Sequence, residues 1–379
     1  MKHKKIALAL TGILLASNAN AEITFNGFAN IVAGVTTSSD DRLYGFDDTI
    51  DLQTGSLFAL QASSDLGNGL GVTAQILSRG ENDWDPSFEW AYVSYDATDN
   101  LRFLAGRQRV PFYMYSDFLD VSYAYPWITP PEGVYSVAFD TFDGLGALYT
   151  TQLGDFDTTF HMIYGGNTEE IDVGGGPTDP DFKDLVGISM TMNRDWLTLR
   201  AGYLQTEMNI PVESLNPLVA GWTAAGFPEV ADELLVEEDT GSFVELGFQV
   251  DYENILIIGE YTFLDLGGTS LADAESYYVM GGYRIDDWLV HLTYGVDEDT
   301  RDNFTAHVPG NVDPALDFLI NTTTALIEDG EDESSYITVG ARWNFHDSAA
   351  LKFEFTNYSN DKNSNNDAGL FRTAIVTVF

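Results

Sequence analysis

The chain has 379 residues, a formal net charge of −42 and no cysteine. Such an acidic balance argues against nucleic-acid binding, which needs a basic footprint, and the missing cysteines exclude a disulfide frame and thiolate chemistry. It fits cationic solutes, divalent ions or solvation in salty surroundings.

The chain opens MKHKKIALALTGILLASNANA. Lys2, Lys4 and Lys5 form a positive start, Ile6 to Ala16 an apolar run too short to cross a bilayer, and Ala19-Asn20-Ala21 a small-x-small cleavage pattern. This predicts a secretory signal peptide over 1–21 and one mature domain over 22–379. No later run of 18 apolar residues occurs, so no transmembrane helix is expected.

From Ile23 onward the pattern is strand-like alternation. In ITFNGFANIVAGV, Ile23, Phe25, Gly27, Ala29, Ile31, Ala33 and Val35 share one face, with Thr24, Asn26, Phe28 and Asn30 on the other. Similar segments are predicted at 23–35, 56–66, 70–79, 87–96, 101–109, 142–152, 156–165, 184–193 and 196–206. The series continues at 241–251, 255–264, 276–285, 288–297, 334–345, 349–359 and 369–379, sixteen in all. Short connections such as LGNG (66–69) and ATDN (97–100) alternate strictly with long ones. A soluble sandwich has no reason to place every long connection at one end, whereas a transmembrane barrel does. Strands of about ten residues also suit a tilted membrane crossing. The predicted fold is an all-β, sixteen-stranded antiparallel transmembrane barrel with short periplasmic turns and long extracellular loops.

The last segment, LFRTAIVTVF, alternates and stops on Phe379. It resembles the C-terminal signature of Gram-negative outer-membrane barrels, which implies that Phe379 is an assembly signal. The mature chain as a whole resembles the trimeric porins of Gram-negative outer membranes. AGRQRVPF (105–112) is similar to the Gly-Arg motif that ends the fifth porin strand. That resemblance implies that the next connection, about 110–141, folds into the lumen as a constriction. PPEGVY (130–135) matches the acidic loop tip of well-known members only loosely, with Glu132 the acid in that place.

The residues of that connection lead to the same position. YMYSDFLDVSYAYPWITPPEGVY (113–135) is too apolar for water, and its three prolines exclude the barrel wall. Inside a wide barrel, irregular backbone is tolerated and prolines stiffen it. A loop docked on a trimer neighbour is the alternative.

Between Val110 and Asp143 lie five acids and no lysine or arginine. Asp117, Asp120 and Glu132 are the expected acidic constriction, since carboxylates in a narrow passage favour cations. For Asp117 and Asp120, capping of local turns is the competing role. The resemblance to porins implies that the opposite wall is basic. Alternation points Arg79 and Arg200 inward, and the motif assigns Arg107 and Arg109 to the wall, although they share the face of Phe103. Residues 207–240 hold eight acids and no base, and 297–333 hold eleven acids and one arginine. These predict a solvated negative vestibule, with PEVADELLVEED (228–239) at helical spacing.

No metal-ligand spacing, serine elbow or phosphate loop is found, so no enzyme, metal or cofactor is expected. The expected function is a cation-preferring outer-membrane porin for small hydrophilic solutes. Expected partners are outer-membrane lipid, lipopolysaccharide, two further copies in a homotrimer, and cations. A substrate-specific porin for a sugar or similar solute is the alternative; a plugged barrel enzyme or adhesin is the third reading.

Overall fold

The computed structural model describes residues 22–39, 41–173 and 176–379. The signal peptide predicted over 1–21 lies outside the described residues. The wall begins with β1 (Ile23–Thr36), β2 (Leu57–Gly67), β3 (Leu70–Arg79), β4 (Pro86–Thr98), β5 (Leu101–Arg109), β6 (Thr141–Leu153) and β7 (Phe156–Asn167). A short hairpin, β8 (Ile171–Val173) with β9 (Gly176–Thr178), stands outside the barrel's strand order. The wall resumes with β10 (Asp181–Arg194), β11 (Leu197–Asn209), β12 (Glu237–Tyr252), β13 (Ile255–Asp265) and β14 (Asp273–Ile285). It ends with β15 (Trp288–Thr300), β16 (Asp332–His346), β17 (Ala349–Asn360) and β18 (Ala368–Val378). Each strand pairs antiparallel with its neighbour, and β18 pairs with β1 from Phe28↔Val378 to Thr36↔Leu370, closing a sixteen-stranded barrel. All sixteen expected strands are present, with ends moved by a few residues.

Polarity is inverted relative to a water-soluble sheet. In β1, Phe25 and Ile31 are exposed, whereas Phe28, Asn30 and Val32 are buried. In β16, Ile337, Val339, Trp343 and Phe345 are exposed while Tyr336 and Thr338 are buried. The apolar parity therefore faces outward, where lipid covers it. Aromatic rings gather near the short turns: Trp288 stacks on Trp343 at 5.5 Å, and Trp196 meets Tyr252 edge-on at 6.3 Å. Such belts mark the membrane–water boundary.

The buried apolar core lies on the inner side. Phe112, Tyr113, Tyr115 and Trp127, from the β5–β6 connection, pack against Leu204, Phe243, Ile258, Tyr278 and Met280 of the wall. A second apolar core joins two of the long loops. Helices α1 (Asn216–Ala225) and α2 (Pro228–Glu233) precede β12, and α3 (Pro314–Asp329) precedes β16. Trp222, Val230, Leu234, Phe304, Val308 and Ile327 bury together there, and Trp222 Nε1 donates to Thr323 Oγ1 at 2.8 Å. The expectation of simple solvated acidic loops is thus corrected: their apolar residues meet across two connections and form a small helical cap. Only α2 matches the helical spacing read in the sequence.

Phe379 completes the closure. Its carbonyl accepts from Gly27 N at 2.8 Å, its amide donates to Gly27 O at 2.9 Å, and its ring stacks on Phe58. A Cβ on Gly27 would sit 2.5 Å from that ring and 2.8 Å from the Ala59 carbonyl. Gly27→Val should therefore destabilise the closed barrel by about 1–3 kcal/mol, the usual cost of overpacking. Unheated SDS electrophoresis measures this: the variant should show less of the compact, fast-migrating form, and parental amounts would refute the contact's importance.

Candidate functional site

The site is built where β5 ends. At Gly106 φ is 129°, and a Cβ there would lie 2.3 Å from the Ala91 carbonyl, so only glycine lets β5 approach β4 this closely. Val110 N donates to Asp140 O at 2.9 Å and closes the base of the connection. The chain between turns against the inner wall instead of leaving the barrel.

Its contacts run around much of the circumference. Glu260 on β13 accepts from Met114 N at 2.7 Å and from the Tyr135 hydroxyl at 2.6 Å. Tyr115 bonds Gln249 on β12 at 2.9 Å, and Trp127 Nε1 donates to Thr293 on β15 at 2.8 Å. Ile128 N donates to Glu354 on β17 at 2.8 Å, and Asn30 on β1 donates to the Asp120 carbonyl at 3.0 Å. The turn 122–127 meets two cations. Lys352 Nζ donates to Ser122 O at 2.5 Å, Ser122 Oγ at 3.0 Å, Tyr125 O at 2.9 Å and Trp127 O. Arg342 donates to Tyr123 O at 2.8 Å and Tyr125 O at 3.1 Å, with its guanidinium 4.8 Å from the Tyr123 ring. The turn's irregular backbone, with Pro126 lacking an N–H, leaves carbonyls of 122, 123, 125 and 127 without strand partners, and Lys352 and Arg342 meet them.

Charge is arranged in close pairs. Arg79 bonds Glu89 at 2.8 Å and Asp120 at 2.9 Å. Arg109 bonds Glu89 at 3.1 Å and also Asp120 and Asp140. Burial alone would raise Asp120, but Arg109 and Arg79 outweigh it and hold the carboxyl below its usual range. Asp140, also desolvated and beside Asp120 and Glu89, is held above its usual range despite Arg109. Glu132 pairs with Arg372 at 3.2 Å and accepts from Thr129 at 3.3 Å. Desolvation pushes Glu132 up to about 7, against the pull of Arg372.

The expected residues do not all converge. Asp120, Arg79 and Arg109 form one cluster, Glu132 sits with Arg372, and Arg200 points inward to Glu245 at 3.2 Å and to Pro111 O at 2.6 Å. Asp117 is exposed, next to the exposed Phe118. Arg107 is a correction. It pairs with Asp143 at 2.8 Å and Glu169 at 2.5 Å, and Asp143 shares the face of β6 that carries exposed Leu145 and Tyr149. It therefore stands off the pore wall on the face of Phe103, whereas Arg109, of the same parity at the end of β5, turns into the Asp120 cluster. A second correction concerns spacing: acids and arginines expected on opposite sides of a gap touch, because charges this buried need partners.

Sequence reasoning passed over Glu89, Glu260, Lys352, Glu354 and Arg372. Parity could have found most of them. In β17, Phe353 and Phe355 alternate with buried Lys352 and Glu354, which puts both charges inside.

Two cavities flank the luminal segment. One, of about 250 Å³, lies between it and the β1, β3 and β18 wall, lined by Asn30, Arg79, Asp120, Glu132 and Arg372. The other, of about 270 Å³, is lined by Tyr115, Gln249, Asp251, Arg284 and Arg342. Tyr125 borders both.

Comparison with known proteins supports one family. The model described as Gram-negative porin matches residues 6–364. Among solved structures, the chain is similar to the outer-membrane channel DcaP of Acinetobacter baumannii, with TM-score 0.61, 13% identity, and 96% of this chain and 99% of that one covered. It is similar to Salmonella typhi OmpF in complex with daunomycin, with TM-score 0.60, 13% identity and the same coverage. A loop L8 deletion mutant of OmpT, an outer membrane protein of Vibrio cholerae, gives 0.59 and 13%, covering 95% of this chain and 99% of that one. A search of curated proteins finds no significant match.

Lys352 carries a specific expectation. Lys352→Met removes hydrogen bonds to charge worth about 1.5–3 kcal/mol each and frees the turn 122–127. Single-channel conductance should rise while the compact electrophoretic form persists. Lys362→Met, which removes an exposed pair with Glu331, is the control and should conduct as the parent does. Parental conductance in both would show that Lys352 does not hold the segment.

Proposed function

From the premise that the chain belongs to the Gram-negative porin family, and is thus an outer-membrane channel for passive diffusion, we propose that it prefers cations. We further propose that residues 110–141 are its constriction. The observation that carries this reading is the surplus of carboxylate along the luminal segment. Around Asp120 three carboxylates meet two guanidiniums. Around Arg372 the carboxylates Glu132 and Glu354 face that guanidinium and the neighbouring Lys352, so this second cluster is balanced and the surplus lies at Asp120. Pairing thus leaves negative charge in a narrow passage with low-dielectric walls, where it attracts cations and repels anions. The acidic mouth and the net charge of −42 act in the same direction.

The remaining parts of the proposal follow from the same premise. Residues 1–21 act as the secretory signal and Phe379 as the assembly signal, the latter supported by its two backbone bonds to Gly27. Three copies assemble in the membrane, and acidic outer loops bridge through divalent ions to lipopolysaccharide phosphates. The protein conducts rather than catalyses. A solute-specific channel is the second reading, favoured by the polar cavity beside Asp120.

Reversal potentials in a KCl gradient test selectivity. The parent should favour K⁺ over Cl⁻, less so as salt rises, because screening shortens from about 10 Å at 0.1 M to about 3 Å at 1 M. An anion-selective reversal potential would refute the reading. Arg109→Gln should raise the preference on the order of twofold, since a unit charge about 8 Å away in water is worth about 0.5 kcal/mol.

pH gives an independent check. Glu132 is charged above about 7 and neutral below it. Cation preference should therefore fall as pH is lowered from 8 to 6, and Glu132→Gln should flatten that dependence at the low value. A pH response unchanged in the variant would assign the titration to another group.

A further inference from the structure

We propose that an apolar cavity of about 130 Å³, at the roots of the luminal segment, is a binding site for the ring of an uncharged aromatic solute. The inference rests on membership of the channel family and is independent of the cation preference. The cavity lies at the end of the wall that carries the long connections. It is enclosed by β10–β13, the β8–β9 hairpin and both ends of residues 110–141. Phe112 comes from one end of that segment and Phe139 from the other, and Phe182 and Phe243 face them from the wall. Phe112 meets Phe139 edge-on at 5.5 Å and Phe243 edge-on at 4.9 Å, while Phe139 is tilted against Phe182 at 4.5 Å. These buried rings form the floor. The opening is made of half-buried side chains, Val137, Leu264, Leu266 and Leu271, which pack on that core while keeping apolar surface in water.

The lining decides the class of guest. No charged side chain lines the cavity, and its polar lining is limited to Gln205, Thr206 and Ser242. Gln205 is exposed and accepts from Tyr203 on the outer face, and the Thr206 hydroxyl already donates to the Lys183 carbonyl at 2.9 Å. A buried water needs two to four polar partners, so the roughly four waters that this volume could admit are held poorly. An ion would lose its hydration and meet no counter-charge. An apolar ring loses nothing comparable, and apolar cavities of about 150 Å³ lined by leucine, isoleucine and phenylalanine take up benzene. Four phenyl rings favour a flat aromatic guest over an alkyl chain, because edge-to-face and offset contacts add to the burial of area. The charge at the opening excludes aromatic carboxylates. Asp273 accepts from Leu266 N at 2.7 Å and Asp265 from Gly267 N at 2.9 Å, which fixes two acids beside the leucines.

The test uses the full-length channel in nanodiscs, with empty nanodiscs as background and para-fluorobenzamide as the probe, followed by fluorine NMR. Its line broadening should saturate with concentration, and unlabelled benzamide should reverse it. Acetamide, which lacks the ring, and benzoate should leave it in place, and hexanamide and benzylamine should compete less well than benzamide. Leu271→Trp, which fills the opening, should raise the half-saturating concentration on the order of tenfold, the loss of one buried ring. Leu271→Met keeps the side-chain volume and should stay within about twofold of the parent. Phe139→Leu removes one ring of the floor and should raise the concentration about 2–10-fold, the value of an aromatic contact. All three variants should still run as compact barrels in unheated electrophoresis. Broadening no greater than in empty nanodiscs overturns the inference, and so does a half-saturating concentration unchanged in Leu271→Trp. Competition by hexanamide equal to that by benzamide overturns it in favour of an alkyl-chain site. Stronger competition by benzylamine overturns it in favour of an organic-cation site. K⁺ conductance in planar bilayers is measured on the same preparations: its absence would overturn the channel reading, whereas probe binding would still support the aromatic site.

Discussion

The structure depends on one constraint: in lipid, every peptide N–H and C=O must be paired within the protein. A sheet meets that demand only when its last strand bonds its first. Here β18 does so along nine residue pairs with β1, and Phe379 adds two further backbone bonds to Gly27. Once closed, the wall can use its two faces for different solvents. Ile31, Val339 and Trp343 face lipid, while Asn30, Thr338 and Arg342 face inward. The inversion is thus a consequence of closure, not a separate feature.

A sixteen-stranded wall encloses more space than its inward side chains fill. The β5–β6 connection enters that space, and its aromatic rings bury there as a core would. Its polar groups then face the ordinary rule for an interior: each charge needs a partner. Glu260 takes three donors, Lys352 meets carbonyls, and Asp120 lies between two arginines. These contacts span opposite parts of the wall, so the segment is braced rather than hung from one side. Bracing fixes where residual charge sits, which the proposed cation preference requires.

How much of this is legible in sequence follows from the range of each interaction. Alternation is local, so strand count, outward face and the inward direction of Arg79 and Arg200 can be read from neighbours two residues apart. The luminal course of 113–135 is legible because aromatic rings with three prolines suit neither water nor wall. The ion pairs are different. Arg79 and Asp120 are 41 residues apart, and nothing near either announces the other. Arg107 follows its shared face with Phe103 rather than the motif, while Arg109 on that same face is drawn inward by Asp120, a partner its neighbours in sequence do not announce. The helical cap was hidden for a similar reason: α3 carries Asn321 and the threonine run 322–324, poor helix formers, and its stability comes from Trp222 and Val230 on a distant loop.

The same long range explains why charge count and charge effect differ. A carboxylate held between guanidiniums contributes little field beyond the pair, so Asp120 in isolation says little about selectivity. On the proposed cation-preferring reading, what would act on a passing ion is the surplus left after pairing, three carboxylates against two guanidiniums around Asp120, whereas Lys352 balances Glu354 in the cluster around Arg372. That surplus lies beside the tyrosine-lined cavity, where screening by bulk salt is weaker. In the proposed cation-preferring channel the braced segment and the buried pairs act together: pairing allows charge to be buried, and the remainder acts where screening is weak.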